Sequence, residues 1–465
     1  MIHNIDPRAI SGLTEYEAEA FRRLIDIFND HAAKNEEKDR YYEGKISLGS
    51  VNLGIALPEG MRGLEIGCAW GAKCVDVLAA RSMFDGFVGT YGEDVEQLDR
   101  LVADNRLVAE YMKTCRDELK YGCSFATLSE DEEIGCKIRF HSPESASAEW
   151  DGDKGRIAYG MAIIDYAKGV REHTWEPSVI HLHLDNASLV FTRNSGSSRW
   201  GFTRHPHRMD RPLMEPLIWN ATSRKPFGRS RIKEPVRRLI QGYVRTIANA
   251  TIGLEFSTAP QKYILGITDE QYDALINQKF KQYVGNMLAA TGNPETGEKP
   301  SFGQLPQGSI APHVEMIRVL ATQFSAATGL TVTDTGVVSE ANPSSSDAIL
   351  AQSQTLVNMA EQLNTGNGDS LRTIALMALA ILNGSTIEEL PEEDRQVIAH
   401  FKNPAMPSVA VTADAAIKIA TARPGFAGTD TFLEMIGFDQ ADIRRIKAQE
   451  ELQRGMDTLA ELELA

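Results

Sequence analysis

The sequence lacks the signatures of catalysis. It has no GxxxxGK[ST] loop to cradle nucleotide phosphates, no GxSxG elbow, no HExxH helix and no Cys/His set at zinc spacing. ATP hydrolysis, serine-hydrolase chemistry and zinc catalysis of those types are therefore not expected, and neither is any bound cofactor. Carboxylates are abundant, but a solvated surface explains them. Cysteine is scarce: Cys68, Cys74, Cys115, Cys123 and Cys136 are odd in number and lack CxxC spacing. Free thiols made in the reducing cytosol are the simplest reading. No apolar run is long enough to span a bilayer, and the first residues show no basic segment followed by an apolar core. Neither a membrane partner nor a signal peptide is expected. Basic charge is also in deficit, with 48 Lys and Arg against 64 Asp and Glu, a formal net charge of −16. A protein that grips nucleic acid needs a basic patch, because neutralising phosphates releases counterions. Tight DNA binding is thus disfavoured as the main task; an acidic wall past which DNA slides is not.

What is present is a 465-residue chain with 42% hydrophobic and 24% charged residues. That is an ordinary globular composition, with room for a large core and roughly two to four domains. Thr14 and Glu17 have capping-box spacing ahead of Phe21, Leu24, Ile25 and Phe28, so a helix is expected to about residue 38. Residues 95–121 read as helical, anchored by Leu98, Val102, Leu107, Val108 and Tyr111. From residue 136 to about 203, short β-like segments separated by Ser, Asn, Gly and Asp predict an antiparallel α+β region. His181 and His183 fall on one face of such a strand, where a metal pair and a structural pair compete. Arg204, His205, His207, Arg208 and Arg211 form a basic cluster suited to phosphate, a subunit interface or acidic neighbours.

The centre of the chain organises the rest. Val236, Leu239, Ile240, Tyr243, Val244 and Ile247 make one apolar helical stripe. Ser230 is a candidate cap, and Pro235 a reason for a later start. A second helix opens at Pro312 and carries Ile317, Leu320, Ala321 and Phe324 on one face. Between them lies an insert holding a short helix with Tyr272, Leu275, Ile276 and Phe280, then a Gly/Pro-rich loop. After the second helix comes TGLTVTDTGVVSEAN, then a helix over 344–363 that is poor in charge, and a nearly all-apolar helix over 371–382. Two further helices, the last one charged, finish the chain.

The ordered series FGRSRI, STAPQKYILG, GQLP, SIAPHVEMIRVLATQFSAATGL and NPSSSDAI resembles the portal proteins of long-tailed bacteriophages. The resemblance covers most of the chain. It implies a mixed α+β, mainly α, portal-type subunit with wing, stem, clip and crown regions that assembles into a ring. The implied division is 1–229, N-terminal helices and wing; 230–254, stem helix; 255–311, clip; 312–329, second stem helix; 330–343, tunnel loop; 344–366, channel or wing helix; 367–465, crown and C-terminal helices. The resemblance implies that Asp334, Thr335, Val337, Val338, Ser339, Glu340 and Asn342 face the channel and its DNA. Arg237, Leu239, Tyr243, Ile317 and Phe324 would belong to the stem, and Tyr263, Phe280, Tyr283 and Phe302 to the clip. The implied partners are further copies in a homo-oligomeric ring of twelve, double-stranded DNA in the channel, the terminase large subunit, head-completion or adaptor proteins, capsid protein and scaffold. The place would be the portal vertex of the virion, reached from the host cytoplasm, and the role DNA packaging and ejection.

A competing reading rests on residues 64–71. Glu65-Ile66-Gly67-Cys68-Ala69-Trp70-Gly71 resembles the first motif of S-adenosylmethionine-dependent methyltransferases, with Glu93 or Asp94 as a ribose-binding carboxylate. Against it, the motif's middle glycine is Ala69, and no alternation of strands and helices follows. A single helix over residues 61–82, with Leu64, Cys68, Val75, Leu78 and Ala79 on one side, fits as well. A structural adaptor that forms no ring is the third reading.

Overall fold

A computed structural model describes residues 2, 5–47, 65–89, 96–169, 174–258, 262–266, 297, 301–304, 309–337, 346–405, 409–438 and 440–463. The fold is mixed α+β, with about half of it helical. Helix α1 (Glu15–Tyr42) starts at a complete capping box: Thr14 Oγ1 accepts from Glu17 N, and the Glu17 carboxylate accepts from Thr14 N at 2.8 Å. It lies on a five-stranded antiparallel meander of β6 (Ala146–Asp151), β7 (Arg156–Lys168), β8 (Trp175–His183), β9 (Ala187–Arg193) and β10 (Trp200–Pro206). Phe21, Leu24, Ile25 and Phe28 of α1 pack on Ile180, Leu182, Leu189 and Phe191. The Phe21 and Phe191 rings stack at 4.5 Å. Period-2 alternation turns His181 and His183 to the opposite face of that sheet.

The α+β region begins earlier than the sequence suggests. A second antiparallel sheet, in the order β11-β4-β5, uses β4 (Cys123–Asp131), β5 (Gly135–His141) and β11 (Met214–Ile218). The first six residues of β4 are buried without interruption, so no polar alternation marks them as a strand.

Two helices replace the single one expected over 95–121: α3 (Glu96–Asp104) and α4 (Leu107–Tyr121). The break has a tertiary cause. Asn105 Nδ2 donates to the Leu101 and Cys136 carbonyls, its Oδ1 accepts from Ile138 N, and Arg106 adopts φ +51°. The turn tilts Val108 outward, so this expected anchor is exposed while Leu107 and Tyr111 are buried. The 61–82 stretch is not one helix either. Strand β2 (Glu65–Gly67) pairs antiparallel with β1 (Lys45–Ser47), and α2 (Trp70–Ala79) follows a tight turn. Strand β3 (Phe84–Gly89) then pairs antiparallel with β14 (Val397–Phe401), joining distant parts of the chain.

Helix α5 (Glu234–Thr258) starts beyond Ser230, which is not its cap. Ser230 Oγ instead donates to the Lys120 carbonyl and accepts from Ile232 N, fixing the approach to α5. Helix α6 (Ala311–Thr328) has Pro312 in its first turn. The two expected helices over 344–382 are one, α7 (Ser346–Leu382), 37 residues and ~55 Å long. The division expected at residue 366 therefore falls inside it. The apolar half of α7 threads the main core, where Leu371, Ile374, Ala375, Met377, Ala378 and Leu379 are fully buried. Helices α8 (Val409–Ala422), α9 (Asp430–Met435) and α10 (Gln440–Glu463) follow β14. Among the described residues, no helix is long and apolar enough to cross a membrane.

Candidate functional site

The helices α5 and α6 pack side by side along the stripes that the sequence shows. Val236, Ile240, Val244 and Ala248 of α5 are buried, as are Leu320, Ala321 and Phe324 of α6; Leu239, Tyr243 and Ile317 are half-buried. Gly242 permits the close approach: a Cβ there would come within 3.2 Å of the Leu320 side chain. At the far end of the pair the chain enters the insert through β12 (Lys262–Leu265) and returns through β13 (Ser301–Gln304), an antiparallel ribbon. Of the expected clip residues, Tyr263 and Phe302 lie on this ribbon, and Phe302 is exposed. Phe280, Tyr283 and the helix expected around them lie outside the described residues.

At the near end the pair is bolted to the body. The indole of Trp70, at the start of α2, lies 4.6 Å from the Tyr243 ring and 4.8 Å from the Phe324 ring, clasping both helices. Arg231, almost fully buried, donates to the Cys74 carbonyl on α2 and, at 2.6 Å, to the Thr328 carbonyl at the end of α6. Burial lowers its pKa, so those carbonyls take the place of water around the guanidinium. Arg237 is turned back into the body, donating to the Ile232 carbonyl and pairing with Glu37 of α1 at 3.6 Å.

The chain leaves α6 through Gly329, whose φ of +73° suits a glycine at a helix end. Asp334 accepts from Thr331 N and Thr331 Oγ1 at 2.9 and 2.8 Å, forming a compact turn. The Thr335 carbonyl accepts from Trp70 Nε1 at 3.1 Å, and Val337 packs on the core. One tryptophan thus holds α5, α6 and the root of the next segment. Val338, Ser339, Glu340 and Asn342 lie outside the described residues. Sequence reasoning missed Trp70 and Arg231. The conspicuous pattern around Trp70 was a glycine motif, while the partners of both residues are remote in sequence.

The methyltransferase reading of residues 64–71 is not supported. The strand pairs antiparallel, and no parallel sheet occurs among the described residues. Gly71 has a packing reason, since a Cβ there would overlap the Tyr41 carbonyl of α1. Glu93 and Asp94 lie outside the described residues. The basic cluster is largely neutralised by carboxylates: Arg204 pairs with Glu17 at 2.7 Å and Arg211 with Glu215. The rings of His181 and His183 lie 6.0 Å apart, and no group of three metal-ligating side chains occurs among the described residues. All five cysteines are free and buried. Burial pushes the Cys68 thiol up to about 11 and those of Cys74, Cys123 and Cys136 to about 12, which fits packing rather than nucleophilic chemistry.

Residues 22–455 match the family described as "Phage portal protein, SPP1 Gp6-like". Among curated proteins, none matches the sequence. Among solved structures, a chain of the "Virion of native gene transfer agent (GTA) particle" is similar at 13% identity, covering 79% of this chain and 89% of that one, with a TM-score of 0.44. A chain of the "Neck of empty GTA particle computed with C6 symmetry" is similar at 14% identity over 77% and 86%, with a TM-score of 0.46. One of the "Neck of native GTA particle computed with C12 symmetry" is similar at 12% identity over 79% and 89%, with a TM-score of 0.43.

Proposed function

The chain belongs to the SPP1 Gp6-like phage portal protein family, and from that membership we propose that it forms a ring of about a dozen copies around a DNA channel at one capsid vertex. The match over residues 22–455 carries this reading. In it, α5 and α6 build the channel wall, the segment 334–342 meets the moving duplex, and the insert between β12 and β13 projects outward. That insert docks an ATP-driven terminase during packaging and head-completion proteins afterwards. Mature particles carry the ring at the vertex, and the ring assembles in the host cytoplasm with capsid and scaffold protein. The work of the chain is mechanical and electrostatic, and ATP is spent by its partner.

Three observations support it. The helix pair is fixed at one end by Trp70 and Arg231 and leads at the other into an insert, as a rigid wall with a docking tip requires. Val314, Met316 and Val319 of α6 and Leu254 of α5 are exposed in the single chain. A ring with heterologous contacts would cover such side chains with the neighbouring copy. The net charge of −16 per chain gives a channel that repels DNA rather than holding it. The test is DNA packaging by capsids assembled with and without this chain. Nuclease-protected DNA should appear only when it is present; equal protection in its absence would refute the role.

A further inference from the structure

Over β8 to β10 the face of the five-stranded sheet turned away from α1 is polar, while over β6 and β7 Ala146, Ala148 and Ala162 make it apolar. His181 and His183 project from β8, His205 stands on β10 in the same cross-strand row as His183 and Ser188, and His207 follows β10. Opposite them, β5 brings Arg139 and His141. Five of the chain's ten histidines thus gather in one place. Between the sheets lies a cavity of about 410 Å³, lined by His181, His183, His205, His207, Arg139 and Arg208 and closed on one side by the turn after α7. His183 is 1% exposed; its Nδ1 lies 3.0 Å from Ser188 Oγ, and among the described residues its Nε2 has no partner. Among the described residues, neither ring nitrogen of His207 has one. Buried polar atoms left unsatisfied in a polar cavity point to a ligand.

We propose that this cavity binds a small oxyanion of the sulfate or phosphate type, held by protonated imidazoles together with Arg139 and Arg208. The placement of the side chains, rather than their summed charge, decides against a metal cation. No three His, Cys, Asp or Glu side chains among the described residues are placed to hold a metal ion. Carboxylates do approach, from β4 (Glu130, Asp131), from the β8–β9 turn (Asp185) and from beyond α7 (Glu389). Asp131 Oδ1 is occupied by Glu133 N and Ile134 N, Glu389 Oε2 by Thr386 N, and Asp185 by Lys154. Glu130 is exposed at the mouth. Burial disfavours the charged form of His141, His181, His183 and His207, and neighbouring positive groups add to this at the first three. His141 and His181 are pushed down to about 4, His183 falls well below its usual range, and His207 is lowered despite the opposing pull of Asp185. A bound anion reverses that balance, so binding takes up protons and tightens as pH falls. A cavity of this size cannot enclose a DNA duplex, which favours a free anion.

Sulfate is the cleaner probe, because its charge is constant between pH 5.5 and 8. Calorimetric titration of the full chain with sulfate, at fixed ionic strength in chloride, should show one site per chain, about tenfold or more tighter at pH 5.5 than at pH 8. Phosphate should compete for it. Arg139→Gln and His205→Gln, both at positions with solvent access, should each weaken sulfate about tenfold while leaving the circular dichroism spectrum and melting at pH 8 unchanged. Absence of a saturable site at pH 5.5, or sulfate binding undiminished in both variants, would overturn the proposal. So would zinc binding in place of sulfate. Displacement of sulfate by single-stranded DNA at lower concentration than phosphate requires would overturn the assignment to a free anion.

Discussion

Glu118 sits wholly out of water between α4 and α7. Asn367 Nδ2 donates to Glu118 Oε2 at 2.7 Å and to Tyr111 Oη at 2.9 Å, and Tyr111 Oη lies 2.6 Å from Ser82 Oγ. Among the described residues, Glu118 Oε1 and Asn367 Oδ1 have no partner. Burial pushes the Glu118 carboxyl up to about 8, with the Asn367 amide pulling it part of the way back. The folded state therefore holds this proton more tightly than the unfolded chain does. Its contribution to stability is fully present below about pH 4.3 and is lost as pH rises toward 8, at about 1.4 kcal/mol per unit. Glu118→Gln keeps the shape and an acceptor for Asn367 while removing the titration. The variant should melt higher than the parent at pH 8.5, and its melting temperature should depend less on pH between 6 and 8.5. An unchanged slope would mean that Glu118 is ionised in the folded state. Tyr111 is visible in the sequence as an apolar anchor, but its polar network is not, because a glutamate and an asparagine 249 positions apart carry no sign of their pairing.

At the scale of elements, α7 tests how far local chemistry governs this chain. The run Asn364 to Ser370 contains Gly366 and Gly368 and reads as a loop between two helices. It is helical because tertiary bonds replace the turn's own: Asn367 is held by α4 residues, and Ser370 Oγ donates to the Pro216 carbonyl at 2.8 Å. Neither glycine has a positive φ, and a Cβ at Gly368 would meet only ordinary contact with Phe401. Gly366→Ala and Gly368→Ala should therefore each stabilise the protein by roughly 0.5–1 kcal/mol, measured by denaturant unfolding. A loss of stability in both would indicate that the helix ends there.

The same contrast explains what the sequence made visible elsewhere. The capping box at Thr14, the α5 and α6 stripes, Pro312 and the β-like segments after residue 136 are encoded within short windows, and they were legible. The break at Asn105, the strand β4 buried through its first six residues and the turn before α2 depend on partners far along the chain. For the candidate site, both helices and their apolar faces could be read, together with the root of the loop that leaves them. Their anchorage by Trp70 and Arg231 could not, since it is a property of packing.

For the whole molecule, the single chain leaves a distinct imbalance. Its core is continuous through α2, α4, α5, α6 and α7, yet α6 exposes Val314, Met316 and Val319 in its first half. In the proposed ring, the neighbouring copy would cover these exposed side chains. The acidic balance belongs to this scale too, because in the proposed ring repulsion of DNA would matter only where copies surround it.

The most direct measurement is the native mass of the purified protein, taken together with end-on electron microscope images. The account predicts a closed ring of about a dozen copies with a central hole wide enough for duplex DNA. A species that stays monomeric or dimeric at every concentration, with and without capsid and scaffold protein, would contradict it.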